Sequence, residues 1–311
     1  MEPMPGGYRT TDLYSRVGWS LRDSRTDDGS RLTVRVAVTG ASGFIGRHVV
    51  RELVHRGAEV IAISRHPDPP ISSTVTPLVA DIGSTGTNPF VRMGRPDALL
   101  HLAWGGLPNY GSSDHLNKEL PRHTAFLDAC IDAGLTRLIV TGTCLEYGLQ
   151  SGELSEATAA LPTTSYGEAK HRLHQHLQEL QATHDFGLSW LRLFYVYGPG
   201  QAATSLYPQL RAAVAAGKSS FDMSIGDQVR DFLPIETAAA RIVAVILNYA
   251  NAGTINICSG QPRTVADTVR DWLQTWHTDI TLNLGVYSYP DYEPFAFWGS
   301  TLRLNSLLRS I

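Results

Sequence analysis

A short apolar strand that runs directly into a glycine-rich turn is the feature that most constrains the fold. Residues 33–39 read Thr-Val-Arg-Val-Ala-Val-Thr, a β-branched run typical of a buried strand, and a helical pattern follows up to about Gly57. The intervening turn, residues 40–46, reads Gly-Ala-Ser-Gly-Phe-Ile-Gly. Its glycines permit a tight bend and let backbone N–H groups approach an anion. The sequence therefore predicts a phosphate-binding site at the N-terminus of the following helix, although a plain connection is the alternative.

Strand-like and helical segments alternate through the rest of the first two thirds of the chain. Further apolar runs lie at residues 60–63, 75–80, 98–103, 138–141 and 188–194. Alternation at these spacings predicts an α/β fold with a Rossmann-type, doubly wound parallel sheet and a smaller C-terminal substrate-binding domain. We expect residues 1–31 to form a disordered extension. Residues 32–197 are assigned to the dinucleotide-binding domain and residues 198–311 mainly to the substrate-binding domain, with some segments returning to the first.

Composition narrows the class of ligand and the compartment. The net charge is −3 and the isoelectric point about 6.4, which gives no general attraction for nucleic acid or an anionic membrane. No apolar run reaches the roughly 18 residues of a membrane helix, and the first 30 residues contain no apolar core of a signal peptide. The three cysteines follow no C-x-x-C spacing, and no metal site is predicted. We expect a soluble, cytoplasmic protein with a small-molecule partner.

A Y-x-x-x-K element lies in a predicted helix. Tyr166 and Lys170 are four residues apart and therefore share one helix face. A phenol with its ordinary pKa near 10 exchanges protons poorly at neutral pH, whereas a neighbouring ammonium favours the phenolate. We expect Lys170 to lower the pKa of Tyr166 and both residues to act in catalysis. The spacing alone would also fit an exposed helix face without function.

Two segments carry a resemblance to a known family. Residues 141–148, Thr-Gly-Thr-Cys-Leu-Glu-Tyr-Gly, resemble the S-S-x-x-V-Y-G segment of extended short-chain dehydrogenases/reductases, and the G-x-x-G-x-x-G turn resembles their nucleotide turn. The resemblance, to the NAD-dependent epimerase/dehydratase members in particular, runs from about residue 33 nearly to the C-terminus. It implies a nucleotide-sugar substrate, a homodimer, and Thr143 as the catalytic hydroxyl that shares the developing charge with Tyr166.

The end of the second strand bears on the choice of cofactor. NAD-binding proteins often place Asp or Glu there, whereas this strand runs into Ser64 and Arg65, which suit a 2′-phosphate. NADP (NADPH) is therefore predicted in preference to NAD, although Arg65 could simply be solvated. The expected cofactor contacts, several of them implied by the resemblance, are Gly40, Ser42, Gly43, Phe44, Ile45, Gly46, Ser64, Arg65, Asp81, Ile82, Leu102, Ala103, Tyr166 and Lys170.

The resemblance also implies substrate contacts. Residues 191–200 resemble L-R-x-F-N-V-Y-G-P-G, with Tyr195 in place of the usual Asn. Arg230 lies in a segment that resembles G-x-x-x-R-D-F, in which the Arg commonly binds the substrate diphosphate; an ion pair with Asp227 or Asp231 is the alternative. The expected substrate contacts are Trp104, Thr143, Glu146, Tyr195 and Arg230.

The residues after Thr143 restrict the reaction. Sugar-nucleotide dehydratases of the family carry Asp-Glu there as acid and base, whereas this chain has Cys144 and Leu145, which disfavours dehydration. The segment resembles nucleotide-sugar 4-ketoreductases of the CDP-abequose synthase kind. We therefore predict NADPH-dependent reduction of a nucleotide-linked 4-keto-6-deoxyhexose at C4. The alternatives are an NAD-dependent nucleotide-sugar epimerase and a non-catalytic NADP-sensing regulator, which would not need Tyr166 and Lys170.

Overall fold

A seven-stranded parallel sheet forms the centre of the protein. The computed structural model describes residues 33–66, 70–84, 86 and 88–310, so the predicted extension at residues 1–31 lies outside the described residues. The strands are β1 Arg35–Thr39, β2 Glu59–Ser64, β3 Val75–Val79, β4 Ala98–His101, β5 Arg137–Thr143, β6 Gly152–Leu154, β7 Gly187–Leu193, β8 Tyr195–Tyr197, β9 Ser220–Asp222, β10 Val229–Arg230, β11 Phe232–Pro234, β12 Gly253–Ile257, β13 Arg263–Thr264, β14 Thr281–Asn283 and β15 Phe297–Gly299.

The order of strands in the large sheet is β12-β7-β5-β4-β1-β2-β3, and every neighbouring pair is parallel. The chain leaves β1 in one direction and returns past it to β4, so the order reverses between these two strands. Ligands of doubly wound sheets bind at such a reversal. The predicted α/β class with a Rossmann-type sheet is confirmed.

Helices cover both faces of this sheet. Their bounds are α1 Phe44–His55, α2 Pro89–Arg92, α3 Leu120–Asp132, α4 Ser165–Leu180, α5 Leu206–Ala215, α6 Ile235–Asn248, α7 Val265–Thr275 and α8 Leu302–Arg309. A π-helical turn, His115–Glu119, precedes α3, and a 3₁₀ turn, Cys144–Tyr147, follows β5. α1 packs on α6 on one face of the sheet, and α3 packs on α4 on the other.

Successive residues of β1 show how the sheet separates two cores. Val36 and Val38 belong to the hydrophobic cluster under α1 and α6, whereas Ala37 belongs to the cluster under α3 and α4. All three are fully buried. Side chains of a strand alternate between faces, so a central strand covered on both sides is apolar throughout.

The chain beyond residue 198 is divided between the sheet and a smaller layer. α6 and β12 return to the sheet, where β12 pairs with β7. α5, α7, β9 and β14 surround a separate core that includes Leu210, Phe221, Val269 and Trp272. Among the helices that the structure describes, none is both long enough and apolar enough to cross a membrane. All three cysteines are buried and unpaired.

Candidate active site

The glycine turn leaves room for an anion at the start of α1. Gly40 has a φ of +69°, and a Cβ on it would come within 3.0 Å of the backbone nitrogen of Ala103. A Cβ on Gly46 would collide with the carbonyl oxygen of Gly40. α1 begins after Gly43 without a side-chain cap, which leaves the first backbone N–H groups of the helix for a ligand. These residues fit the diphosphate of a dinucleotide.

The end of β4 is joined to the glycine turn through Thr39. Its hydroxyl oxygen accepts hydrogen bonds from the backbone nitrogens of Leu102 (3.2 Å) and Ala103 (3.3 Å). These two candidate cofactor contacts therefore lie beside the turn. Ser42, Phe44 and Ile45 are half-buried on it, as expected of residues along a ligand site.

The remaining candidate cofactor residues lie at the ends of β2 and β3. The Ser64 hydroxyl donates to the carbonyl of His66 at 2.6 Å, and Arg65 is exposed. Asp81 pairs with Arg122 of α3, and Ile82 packs against the core under α3. The Asp81 carboxylate is therefore already engaged with a cation, a partner that the sequence did not indicate.

α4 brings Tyr166 and Lys170 together below the end of β5. The Thr164 hydroxyl caps the helix by accepting from the nitrogen of Gly167 at 3.0 Å. The Lys170 Nζ donates to the carbonyl of Thr141 at 2.8 Å and lies 6.0 Å from the centre of the Tyr166 ring. Both side chains are buried, as the shared helix face predicted.

Burial shifts the protonation of both residues. It lowers the pKa of Lys170 to about 7, against attraction to Glu146 and Glu119. It also raises the pKa of Tyr166 well above the ordinary phenol value, and neighbouring Tyr110 raises it further. Burial dominates the pKa of Tyr166, and the lowering expected from Lys170 stays a prediction. Tyr166 is protonated at neutral pH and equipped to donate.

Thr143 ends β5 and caps the turn that follows. Its hydroxyl oxygen accepts from the nitrogen of Leu145 at 3.2 Å, and its own nitrogen donates to Glu146 Oε1 at 2.8 Å. A hydroxyl that accepts one bond keeps its hydrogen for a second partner. Thr143 can therefore still donate to a substrate oxygen.

The side chain of Glu146 makes its hydrogen bonds inside the protein. Its carboxylate is fully buried and accepts from Trp190 Nε1 at 3.0 Å and Arg192 Nε at 2.9 Å, besides the nitrogen of Thr143. These bonds use both carboxylate oxygens. The structure therefore does not support Glu146 as a substrate contact, and we assign it to holding the end of β5 in place. Neither Trp190 nor Arg192 was singled out from the sequence.

Trp104 lies against Lys170 and two buried histidines. Its ring centre is 4.0 Å from Lys170 Nζ and 5.9 Å from the centre of Tyr166. The indole Nε1 donates to His115 Nδ1 at 3.1 Å, and His115 Nε2 donates to the carbonyl of Asn109 at 2.8 Å. Trp104 thus lies beside Tyr166 and Lys170, the predicted catalytic residues.

A buried chain of hydrogen bonds supports this loop. His101 bonds the Thr39 hydroxyl through Nδ1 (2.9 Å) and His123 through Nε2 (2.7 Å), and His123 Nε2 reaches Glu119 at 3.1 Å. Burial lowers the pKa of His123 to about 4 and also lowers that of His101 well below its usual value, so both rings are neutral. The hydrogen bond to His123 holds the pKa of Glu119 low. His115, His123 and Glu119 could not be predicted from the sequence, because no spacing relates them to the strand ends that they contact.

Arg230 is buried in an ion pair that the sequence did not predict. Its Nη2 lies 2.8 Å from Glu293 Oε2, and its Nη1 donates to the carbonyls of Val229 (2.9 Å) and Phe295 (3.0 Å). The alternative of a pair with Asp227 or Asp231 is wrong. Asp231 instead accepts from backbone nitrogens, among them that of Gly260 at 2.8 Å. Arg230 is only 2% exposed, so its guanidinium is not freely available to a phosphate.

The sequence comparisons agree with this site. Residues 36–258 match the model of the NAD dependent epimerase/dehydratase family. The chain belongs to this family. One relative is dTDP-6-deoxy-L-talose 4-dehydrogenase (NAD(+)) of Aggregatibacter actinomycetemcomitans. It is 29% identical to this chain, and the match covers 86% of this chain and 100% of the relative. CDP-abequose synthase of Salmonella typhimurium is 24% identical over 68% of this chain and 70% of that protein.

Solved structures of family members share the fold. MoeE5 in complex with UDP-glucuronic acid and NAD superposes with a TM-score of 0.77 at 25% identity, covering 88% of this chain and 92% of that one. The family, the fold and the relatives together establish an enzyme of the nucleotide-sugar-modifying, oxidoreductase type.

Proposed function

We propose that this protein reduces a nucleotide-linked 4-keto-6-deoxyhexose at C4, or catalyses the reverse 4-dehydrogenation. The observation that carries the proposal is the juxtaposition of buried Tyr166 and Lys170 with Thr143, followed by Cys144 and Leu145. Burial raises the pKa of Cys144 far above neutrality, so its thiol is not a base. The site therefore offers proton donation to an oxygen but no acid and base for loss of water.

The chain's own groups account for the proton side of the reaction. A bound nicotinamide would supply the hydride that adds to C4. Tyr166 gives its proton to the carbonyl oxygen at C4, which becomes the hydroxyl, while Thr143 donates a hydrogen bond to the same oxygen. The Lys170 ammonium, fixed by the carbonyl of Thr141, stabilises the negative charge left on Tyr166. The dehydrogenase among the relatives favours a 4-keto/4-hydroxy interconversion.

The choice between NADP and NAD rests on opposing observations. Ser64 ends β2 and exposed Arg65 follows it, at a place where a guanidinium can meet a 2′-phosphate, which favours NADP. The family description and the NAD in the MoeE5 complex favour NAD. We therefore propose to compare kcat/KM for NADPH and NADH in the natural protein and in Arg65→Ala. A large loss confined to NADPH supports the sequence prediction, whereas equal use of NADH assigns NAD.

The reaction is tested by following NADPH or NADH consumption with dTDP-, CDP-, GDP- and UDP-linked 4-keto-6-deoxysugars. We expect oxidation with at least one substrate and its loss in Tyr166→Phe, with the fold checked by circular dichroism. Undiminished reduction by Tyr166→Phe would refute the assignment of the proton donor. If neither NADPH nor NADH is consumed with any of these substrates, and NAD co-purifies tightly with the protein, the epimerase alternative is supported. The family description also favours that alternative.

The homodimer that the family resemblance implied remains a proposal. α3 and α4 pack side by side, joined by a hydrogen bond between His176 Nε2 and Asp128 Oδ1 at 2.7 Å, and would supply the two helices that each protomer contributes. Sedimentation equilibrium of the full chain tests it. A monomer at micromolar concentration would argue against the dimer.

A further inference from the structure

Two polar groups beside the catalytic tyrosine have unused hydrogen-bonding capacity. The hydroxyl of Tyr195 is buried and makes no well-formed hydrogen bond to the described residues, although the Glu293 carboxylate lies near enough to interact with it. The Glu293 carboxylate meets Arg230 through Oε2, and no described hydrogen bond engages its Oε1. A buried hydroxyl without a partner costs free energy, so the native protein gains by filling that place with a ligand.

Contacts between neighbouring side chains connect both groups to Tyr166. The ring of Tyr110 is 5.6 Å from that of Tyr166 and 5.8 Å from that of Tyr292, which precedes Glu293. The Tyr195 ring is 5.7 Å from the Arg230 guanidinium that holds Glu293. Tyr195 and Glu293 are therefore neighbours on either side of Arg230, and Tyr110 and Tyr292 connect them to Tyr166.

The negative charge of Glu293 affects the pKa values of neighbouring side chains. After burial, it contributes to raising the pKa of Tyr195, and it is one of the groups that raise the pKa of Tyr110 to about 12. It also opposes ionisation of Cys144, the residue after Thr143. The Glu293 carboxylate thus lies near the hydroxyls of Tyr195 and Tyr110 and near Cys144.

Arg230 fixes the position of this carboxylate. A guanidinium has five N–H donors, and four described bonds, two to Glu293 and one each to Val229 and Phe295, engage it. Phe297 packs 5.0 Å from the guanidinium. Arg230 is therefore a positioning residue for Glu293 in this arrangement.

We propose that Tyr195 and Glu293 together bind one hydroxyl group of the substrate's sugar. A sugar hydroxyl can accept the hydrogen of Tyr195 and donate its own to Glu293 Oε1, which satisfies both groups at once. A sugar carboxylate at the same place would meet the negative charge of Glu293 and would be rejected. The inference rests on the proposed function, and it narrows the substrate to a neutral, hydroxylated sugar in preference to a uronic acid.

Tyr195→Phe tests the hydroxyl without disturbing the packing of the ring. Because the hydroxyl makes no well-formed hydrogen bond to the described residues, we expect the free energy of unfolding to stay constant or rise. The loss of one hydrogen bond to the substrate should lower kcat/KM about tenfold. Tyr287→Phe, at a 59% exposed tyrosine, is the matched control and should change neither quantity. A loss of stability in Tyr195→Phe would mean that Glu293 itself accepts this hydroxyl, and would overturn the proposal.

Glu293→Gln tests the carboxylate. We expect a similar fall in kcat/KM with the neutral sugar, and a combined effect in Tyr195→Phe/Glu293→Gln smaller than the product of the two, because one substrate hydroxyl serves both. The natural protein should not bind UDP-glucuronic acid by calorimetry, and Glu293→Gln should bind it. If Glu293→Gln unfolds because Arg230 loses its counter-charge, the Arg230→Met/Glu293→Gln variant replaces it.

A set of substrates, each lacking one sugar hydroxyl, separates this inference from the proposed function. With the natural protein, kcat/KM should be about tenfold lower for the substrate that lacks the contacted hydroxyl than for the complete substrate. With Tyr195→Phe, kcat/KM should be equal for these two substrates. If the natural protein turns over no nucleotide sugar, the proposed function fails, and the same set measured by calorimetric binding still tests the hydroxyl contact. Turnover that is equal in the natural protein and Tyr195→Phe overturns the contact and leaves the function intact.

Discussion

The Lys170 ammonium lies 4.0 Å from the centre of the Trp104 ring while it donates to the carbonyl of Thr141. An aromatic face attracts a cation, and the attraction grows when both are out of water. Trp104 therefore stabilises the charged form of Lys170 in a place where burial lowers its pKa to about 7.

Trp104→Leu should lower the pKa of Lys170 further, by about 0.4 to 0.7 units, because the variant loses roughly 0.5–1 kcal/mol of cation–ring attraction. In the proposed reduction the ammonium is needed, so kcat/KM declines above about pH 7 in the natural protein and from a lower pH in the variant. Profiles from pH 5.5 to 9 measure the shift, with Trp104→Phe as the control that keeps an aromatic face. Coincident profiles for all three proteins would contradict the role given to Trp104.

Lys170→Met should stabilise the fold most strongly at low pH. Burial lowers the pKa of Lys170 from 10.5 to about 7, so between these values the unfolded chain binds one more proton than the folded chain. The stability of the natural protein therefore gains up to about 1.4 kcal/mol per pH unit across this window, and below it the full cost of the buried charge remains. Urea unfolding at several pH values should show the advantage of the variant shrinking from pH 7 towards pH 10. An advantage that is independent of pH would show that Lys170 keeps its ordinary pKa.

Glu146→Gln should destabilise the protein by about 3 kcal/mol, because it leaves the Arg192 guanidinium buried without its counter-charge. Glu153→Gln, at an exposed position on β6, is the matched control and should change stability by less than about 0.5 kcal/mol. Chemical denaturation of both variants measures the difference. A Glu146→Gln protein as stable as its control, but with a raised KM, would return Glu146 to the list of substrate contacts.

Gly46→Ala should weaken dinucleotide binding on the order of tenfold, about 1.4 kcal/mol, because the new methyl group displaces the Gly40 carbonyl and with it the turn. Gly111 is the control, since a Cβ there meets nothing within 4 Å. Fluorescence titration with NADPH and NADH gives both affinities. Unaltered affinity in Gly46→Ala would mean that the dinucleotide does not lie on this turn.

The parts of the fold that the sequence revealed are those determined by local patterns. The buried strands of the large sheet appear as apolar runs, and the helix that carries Tyr166 and Lys170 appears in their four-residue spacing. Strands of two or three residues such as β8 and β10 exist because a distant segment pairs with them, as β11 and β13 do. No local pattern encodes them.

The same distinction applies to the site. Thr143, Tyr166 and Lys170 stand in recognisable segments, so their meeting could be predicted. Glu293 lies 63 residues beyond Arg230, and its effect on the guanidinium depends on how residues 287–296 fold back. Burial likewise arises only when the chain has folded, which is why the four-residue spacing of Tyr166 and Lys170 does not reveal the raised pKa of Tyr166.

The place of β12 in the sheet has a consequence for synthesis on the ribosome. β12 pairs with β7 in register from Gly253 with Ser189 to Ile257 with Leu193, and 59 residues of chain separate the two strands. Until β12 has been synthesised, the nascent protein carries β7 as an open edge with apolar residues exposed on both sides. Such an edge invites pairing with other chains. We therefore expect translation pauses before residue 258, rather than after it, to commit this protein to aggregation or to chaperones.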